Sequence, residues 1–187
     1  IGIACWPEHA VDADTLINRA EVAMYAAKHR GSGVLMYDPA LDAASAQTLT
    51  LLGELRQAVE HGELRLFLQP KLALGTGAVV GAEALLRWQH PERGLVPPGA
   101  FIAAAEESDL IVHIGSWVLQ TACQQLVQWQ SDPLCEALQL SVNVSARQFR
   151  HPRFVEQVLE TVACLGTRAH LLTLELTESL VPVSYTH

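Results

Sequence analysis

The chain has 187 residues, half of them apolar and 17% charged, which is enough to bury a core and too apolar for a disordered tail. Twelve Lys and Arg stand against twenty Asp and Glu, a formal net charge of −8, so the basic footprint of a general DNA or RNA binder is missing. The four cysteines, Cys5, Cys123, Cys135 and Cys164, form no Cys-x-x-Cys pair; neither a zinc knuckle nor a disulfide framework is expected, and free thiols fit a reducing compartment.

No uninterrupted apolar run reaches about 18 residues, so no membrane segment is expected. The chain opens on Ile1, inside a folded pattern, which predicts a piece of something longer. In chain order, 1–6 reads as a short buried strand. Asp12 and Asp14 are N-cap candidates for a helix to about residue 30, with Leu16, Ala20, Met24 and Ala27 as its apolar stripe. A short strand over 34–37 and a long helix from Asp38-Pro39 to about Glu60 follow, the helix stopped by His61-Gly62. This helix reads as a connector between two units.

From residue 63 strands alternate with helices. Strands are predicted over 63–69 (ended by Pro70), 79–88, 138–145 and 171–177, and helices over 98–107, 110–130 and 152–165. Strand–helix–strand units imply a largely parallel sheet with helices outside it. Alternation gives each strand one greasy face and one face with polar groups: Arg65, Phe67 and Gln69; Glu83, Leu85 and Arg87; Ser141 and Asn143; Thr173 and Glu175. An antiparallel sheet with one wet face would alternate in the same way. The strand–helix order favours the parallel arrangement, in which inward polar groups need a reason such as a metal and a ligand. The four tryptophans, Trp6, Trp88, Trp117 and Trp129, read as packing residues.

Five blocks then carry a resemblance. Leu68-Gln69-Pro70-Lys71, Glu83-Ala84-Leu85-Leu86-Arg87-Trp88, Pro98-Gly99-Ala100-Phe101-Ile102, Ser141-Val142-Asn143-Val144-Ser145 and Glu175-Leu176-Thr177-Glu178 occur in this order. Together they resemble EAL domains, bacterial phosphodiesterases that hydrolyse cyclic di-GMP. Upstream, Ile1-Gly2-Ile3-Ala4 with Pro7-Glu8, and Arg19 to Lys28 followed by Gly31, resemble the end of a GGDEF domain, the cyclase that makes this messenger. The resemblance implies a GGDEF remnant over 1–40, a connector helix over 41–61 and the N-terminal half of an EAL domain over 62–181. The implied fold is α/β, a truncated TIM-like (β/α) barrel preceded by the connector and a partial GGDEF α/β domain. Residues 182–187 do not resemble the family.

What the resemblance implies for the site is specific. Glu83, Asn143 and Glu175 become ligands of Mg²⁺ or Mn²⁺, two ions in the complete domain, and hard oxygen donors suit either metal. Arg87, about 13 Å along the strand from Glu83, and Gln69 become substrate-binding residues. Glu178 becomes a loop anchor. The family's catalytic Asp pair and Lys fall beyond this chain, so no catalytic residue is assigned. The implied activity is two-metal hydrolysis of cyclic di-GMP to 5′-pGpG by the parent protein. The fragment alone is expected to be inactive, because a half barrel leaves strand edges unpaired. A homodimer through the EAL domain and a cytoplasmic location are implied as well. The alternative is an EAL domain without catalysis, acting as a cyclic di-GMP receptor or an interaction module.

Overall fold

The structure, a computed structural model, describes residues 1–29 and 32–176. The chain divides into two compact units, one ending at Leu55 and the other beginning at Arg56.

In the first unit, β1 (Gly2–Ile3) pairs in parallel with β2 (Leu35–Met36), and α1 (Ala13–His29) connects them. Asp12 starts α1: its carboxylate accepts hydrogen bonds from the Thr15 backbone N–H and hydroxyl, both at 2.8 Å. Ala23, Tyr37 and Leu41 form the buried cluster, with Ala4, Val22, Ala26 and Leu35 packed around it. Two expectations need correction. The buried stripe of α1 runs through Ala23 and Ala27, whereas Met24 is 51% exposed. The first strand is only two residues long, which leaves Trp6 in a turn at 69% exposure rather than in a core. Among the other tryptophans, Trp88 is fully buried and Trp117 and Trp129 are half-buried.

The long helix α2 spans Pro39–Glu60. It ends as the sequence suggests. Gly62 takes a φ of +64°, and the Glu63 N–H reaches back to the Ala58 carbonyl at 2.9 Å, closing the left-handed cap that glycine favours.

The second unit is built on a five-stranded sheet of β3 (Leu64–Leu72), β4 (Val79–His90), β5 (Gly94–Val96), β6 (Gln139–Val144) and β7 (Leu172–Leu176). Its order is β3-β4-β6-β7, with β5 folded back as a hairpin on the end of β4. The helices are α3 (Ile102–Glu106), α4 (Leu110–Trp129), α5 (Ala146–Phe149) and α6 (Phe154–Val162); α6 runs into a 3₁₀ segment, Ala163–Leu171, that leads to β7.

The sheet is mixed, not largely parallel. β4, β6 and β7 are parallel, but β3 and β5 are antiparallel to β4. The reason is chain length: only residues 73–78 join β3 to β4, and a parallel crossover needs a dozen or more. β3 also does not end at Pro70; it continues through Lys71 to Leu72. A proline lacks the N–H for one ladder bond, and an edge strand such as β3 tolerates that.

The greasy faces pack as their alternation predicts in the central strands. Ala82, Ala84, Leu86 and Trp88 of β4 and Leu140, Val142 and Val144 of β6 are buried, as are Ile111, Ile114, Val118, Ala122 and Leu126 of α4. At the β7 edge Leu176 is half exposed.

β4 and β6 approach closely at Gly81. A Cβ there would lie 2.4 Å from the Gln139 carbonyl oxygen. Gly81→Ala must therefore push the two strands apart, and a loss of about 1–3 kcal/mol is expected, measured by urea unfolding. A loss below about 0.5 kcal/mol would show that the strands can separate here without strain.

Candidate functional site

The register of the sheet assembles the polar residues. Glu83 of β4 lies beside Ser141 of β6, which lies beside Thr173 of β7; one step further along β6, Asn143 lies beside Glu175. Neighbours in a ladder point to the same face, so Glu83, Ser141, Asn143 and Glu175 share one. On the antiparallel side Gln69 lies opposite Glu83, Phe67 opposite Leu85, Arg65 opposite Arg87 and Lys71 opposite Gly81.

Side-chain contacts tie these rows together. Asn143 Nδ2 donates to Glu83 Oε1 at 2.7 Å. Lys71 Nζ donates to Glu175 Oε1 at 2.6 Å and to Ser141 Oγ at 2.7 Å. β3 and β7 are separated by two strands, about 14 Å across a flat sheet at the usual strand spacing. Side chains of Lys and Glu length meet across that span when the face is concave. The contact has an electrostatic consequence: Lys71, helped by the Ser141 hydroxyl and opposed by partial burial, holds the Glu175 carboxyl below the usual glutamate range.

Arg87 is half-buried on this face, its guanidinium carbon 5.9 Å from the centre of the Phe67 ring and one N–H bonded to the Leu86 carbonyl at 2.8 Å. Gln69 is exposed, in the row of Glu83. Glu178, Thr177 and residues 182–187 lie outside the described residues.

Among the described residues no three His, Cys, Asp or Glu side chains cluster in a way that could hold an ion. The grouped oxygens are two carboxylates and one carboxamide. Asn143 spends its N–H end on Glu83, which leaves Oδ1 as its donor atom, and Lys71 takes Oε1 of Glu175, which leaves Oε2. This is a hard oxygen set that fits Mg²⁺ or Mn²⁺, ions that also keep water or phosphate ligands.

Lys71 is not among the residues that the sequence pattern singles out, because Pro70 reads as the end of the strand. The signal was available: an edge strand passes through proline, and residue 71 then falls on the face of residue 69.

Comparison with known proteins agrees with this architecture. The EAL domain family matches residues 52–186. The chain belongs to the EAL domain family. Its fold is the mixed α/β arrangement of EAL structures. The PaMucR phosphodiesterase, solved as a c-di-GMP complex, superimposes with a TM-score of 0.67 at 41% identity, over 72% of this chain and 54% of that one. The EAL domain of Xanthomonas citri FimX, in complex with c-diGMP, gives 0.63 at 28% identity, over 75% and 53%. In sequence, the chain is 40% identical over 180 residues to MucR of Pseudomonas aeruginosa, a bifunctional diguanylate cyclase/cyclic di-GMP phosphodiesterase; this is 96% of the chain and 26% of MucR. It is 38% identical over 180 residues to the Escherichia coli cyclic di-GMP phosphodiesterase PdeR, 96% of the chain and 27% of PdeR. The chain thus spans about a quarter of the length of these curated relatives.

Proposed function

We propose that this EAL chain is part of a cyclic di-GMP phosphodiesterase that opens the cyclic dinucleotide to linear 5′-pGpG. One observation carries the reading: Glu83, Asn143 and Glu175 come from three adjacent parallel strands and share one face of the sheet, where Asn143 is hydrogen-bonded to Glu83. In this reading the three residues hold Mg²⁺ or Mn²⁺, with two ions in the complete domain. Bound there, the metal supplies charge neutralisation on the phosphoryl oxygens and activation of water.

The chain's own residues do the rest of what lies within it. Glu83 and Glu175 provide the negative charge that attracts the cations. Asn143 braces Glu83 through its N–H and fixes the carboxylate plane. Arg87, on the same face, directs its guanidinium to a ligand phosphate, a geometry suited to paired hydrogen bonds. Gln69, in the row of Glu83, offers an amide that can both donate to and accept from the ligand. Glu178 keeps its proposed role as a loop anchor.

The finer domain reading belongs here too: 1–40 as a GGDEF remnant, 41–61 as a connector helix and 62–181 as the N-terminal half of the EAL domain, with its strands forming the first part of a TIM-like barrel. It is supported by the match to bifunctional MucR, which extends over 96% of the chain although the EAL family match starts at residue 52. A homodimer through the EAL domain and work in the bacterial cytoplasm complete the proposal. Among the described residues no helix is long and apolar enough to cross a membrane.

The test is hydrolysis of cyclic di-GMP by the full-length protein with Mg²⁺ or Mn²⁺, followed by chromatography of the linear product. Arg87→Ala is expected to raise KM by about 10-fold or more, since a hydrogen bond to a charged group contributes about 1.5–3 kcal/mol. An unchanged KM would remove Arg87 from the ligand. Tight binding without cleavage by the unmodified protein would favour the receptor alternative.

A further inference from the structure

Lys71 is a long, flexible side chain fixed at both available contacts. Its ammonium bridges Glu175 Oε1 at 2.6 Å and Ser141 Oγ at 2.7 Å, from the opposite edge of the sheet. Lys71 and Glu175 are 39% and 38% exposed, so the pair is neither deeply buried nor a free surface pair. Immobilising a lysine gives up most of its rotamer freedom, and an isolated, partly exposed ion pair returns too little to offset that loss. Stability alone therefore accounts poorly for the contact.

The placement suggests another role. Lys71 lies opposite Gly81, which has no side chain to obstruct its path across β4. It grips one oxygen of Glu175, the neighbour of Asn143 in the ladder, and leaves Oε2 outside that contact. Ser141, buried between Glu83 and Thr173 in its row, fixes the ammonium at a second point.

We propose that Lys71 is a positioning residue for the cation site: by holding Glu175 Oε1 against Ser141 it orients Oε2 for a divalent ion. The proposal rests on the reading of Glu83, Asn143 and Glu175 as metal-holding residues. Hydrogen bonds that orient a ligating carboxylate typically carry 10–100-fold in metal affinity. An ammonium could instead act only as a rival cation, and the two roles have opposite signs.

The experiment is titration of the full-length protein with Mn²⁺, reading the loss of the free-ion electron paramagnetic resonance signal. Lys71→Met is expected to weaken Mn²⁺ binding about 10–100-fold. Lys71→Arg should recover most of the affinity, because the guanidinium still donates to both oxygens. In a Glu175→Gln background, Lys71→Met should add less than about 2-fold, since the effect runs through that carboxylate. Thermal melts of the same samples separate a positioning effect from misfolding, and Lys71→Gln replaces the Met variant if that one does not fold.

Binding by Lys71→Met as tight as that of the unmodified protein, or tighter, overturns the proposal and makes Lys71 a competitor of the metal. An equal loss in the Glu175→Gln background overturns it as well. If the unmodified protein and Glu83→Ala take up Mn²⁺ alike, the metal reading itself fails, and the failure is recognisable as such because among the described residues Lys71 pairs with Glu175 and not with Glu83.

Discussion

Glu83→Ala is expected to abolish metal-dependent hydrolysis of cyclic di-GMP by the full-length protein, a drop of about 10³-fold or more in kcat/KM. The argument starts from the donor count. Three oxygen-bearing side chains share one face of the sheet, and the substitution removes one of the two carboxylates among them. It also leaves Asn143 Nδ2 without the acceptor that it reaches at 2.7 Å, so the carboxamide loses its brace as well as its neighbour. Metal-assisted charge stabilisation is worth several kcal/mol, and each 1.36 kcal/mol is a factor of ten in rate, hence the estimate of about 10³. Glu83 is only half-buried, so folding should change by less than about 1 kcal/mol. Glu83→Gln keeps the shape and removes the charge, and it should fail almost as completely. Activity retained in Glu83→Ala, by chromatography of the linear product, would end the assignment of this face to a metal.

Trp88→Ala is expected to cost about 3–5 kcal/mol, the range for truncating a large aromatic side chain in a core. Trp88 is fully buried at the end of β4, with its ring edge-on to Phe101 at 5.8 Å between centroids and tilted against His90 at 4.8 Å. Its indole N–H donates to Glu63 Oε2 at 3.0 Å, tying β4 to the residue just before β3. The loss is a large share of the 5–15 kcal/mol typical of a domain, so the variant should be largely unfolded by moderate urea. Trp88→Phe fills part of the volume but strands the Glu63 oxygen. It should cost about 1.5–3 kcal/mol, the usual worth of a hydrogen bond to a charged group. A loss below about 1 kcal/mol in Trp88→Ala would show that this end of the sheet tolerates a cavity without consequence.

The two substitutions probe opposite faces of the same strand, and the sequence was informative about both. Glu83 and Trp88 are five residues apart, so alternation places them on different faces, and burial agrees: Trp88 is enclosed while Glu83 faces the polar row. Helix boundaries were legible where a local device marks them, as at Asp12 and Gly62. Legibility failed where two distant segments had to be compared. The alternation of residues 63–69 and 79–88 is the same in a parallel and an antiparallel pair; the six-residue link resolves the choice through reach, not through pattern. Lys71 was lost at Pro70 because a proline reads locally as a stop, whereas its tolerance depends on the strand lying at a sheet edge. Trp6 reads as a packing residue because aromatic side chains are usually covered, yet the strand that would carry it inward stops at Ile3 and leaves it exposed.

By itself the sequence determined which side chains of each strand share a face, because the two-residue period of a strand is a local property of the backbone. It also carried, through its ordered blocks, the resemblance that the family match supports. Only the tertiary structure decided that Lys71, Ser141 and Glu175, the outer two separated by 104 positions, meet within 2.7 Å. Strand order, register and the curvature of the sheet make that meeting, and they arise from hydrogen-bond ladders between remote segments that no local periodicity encodes.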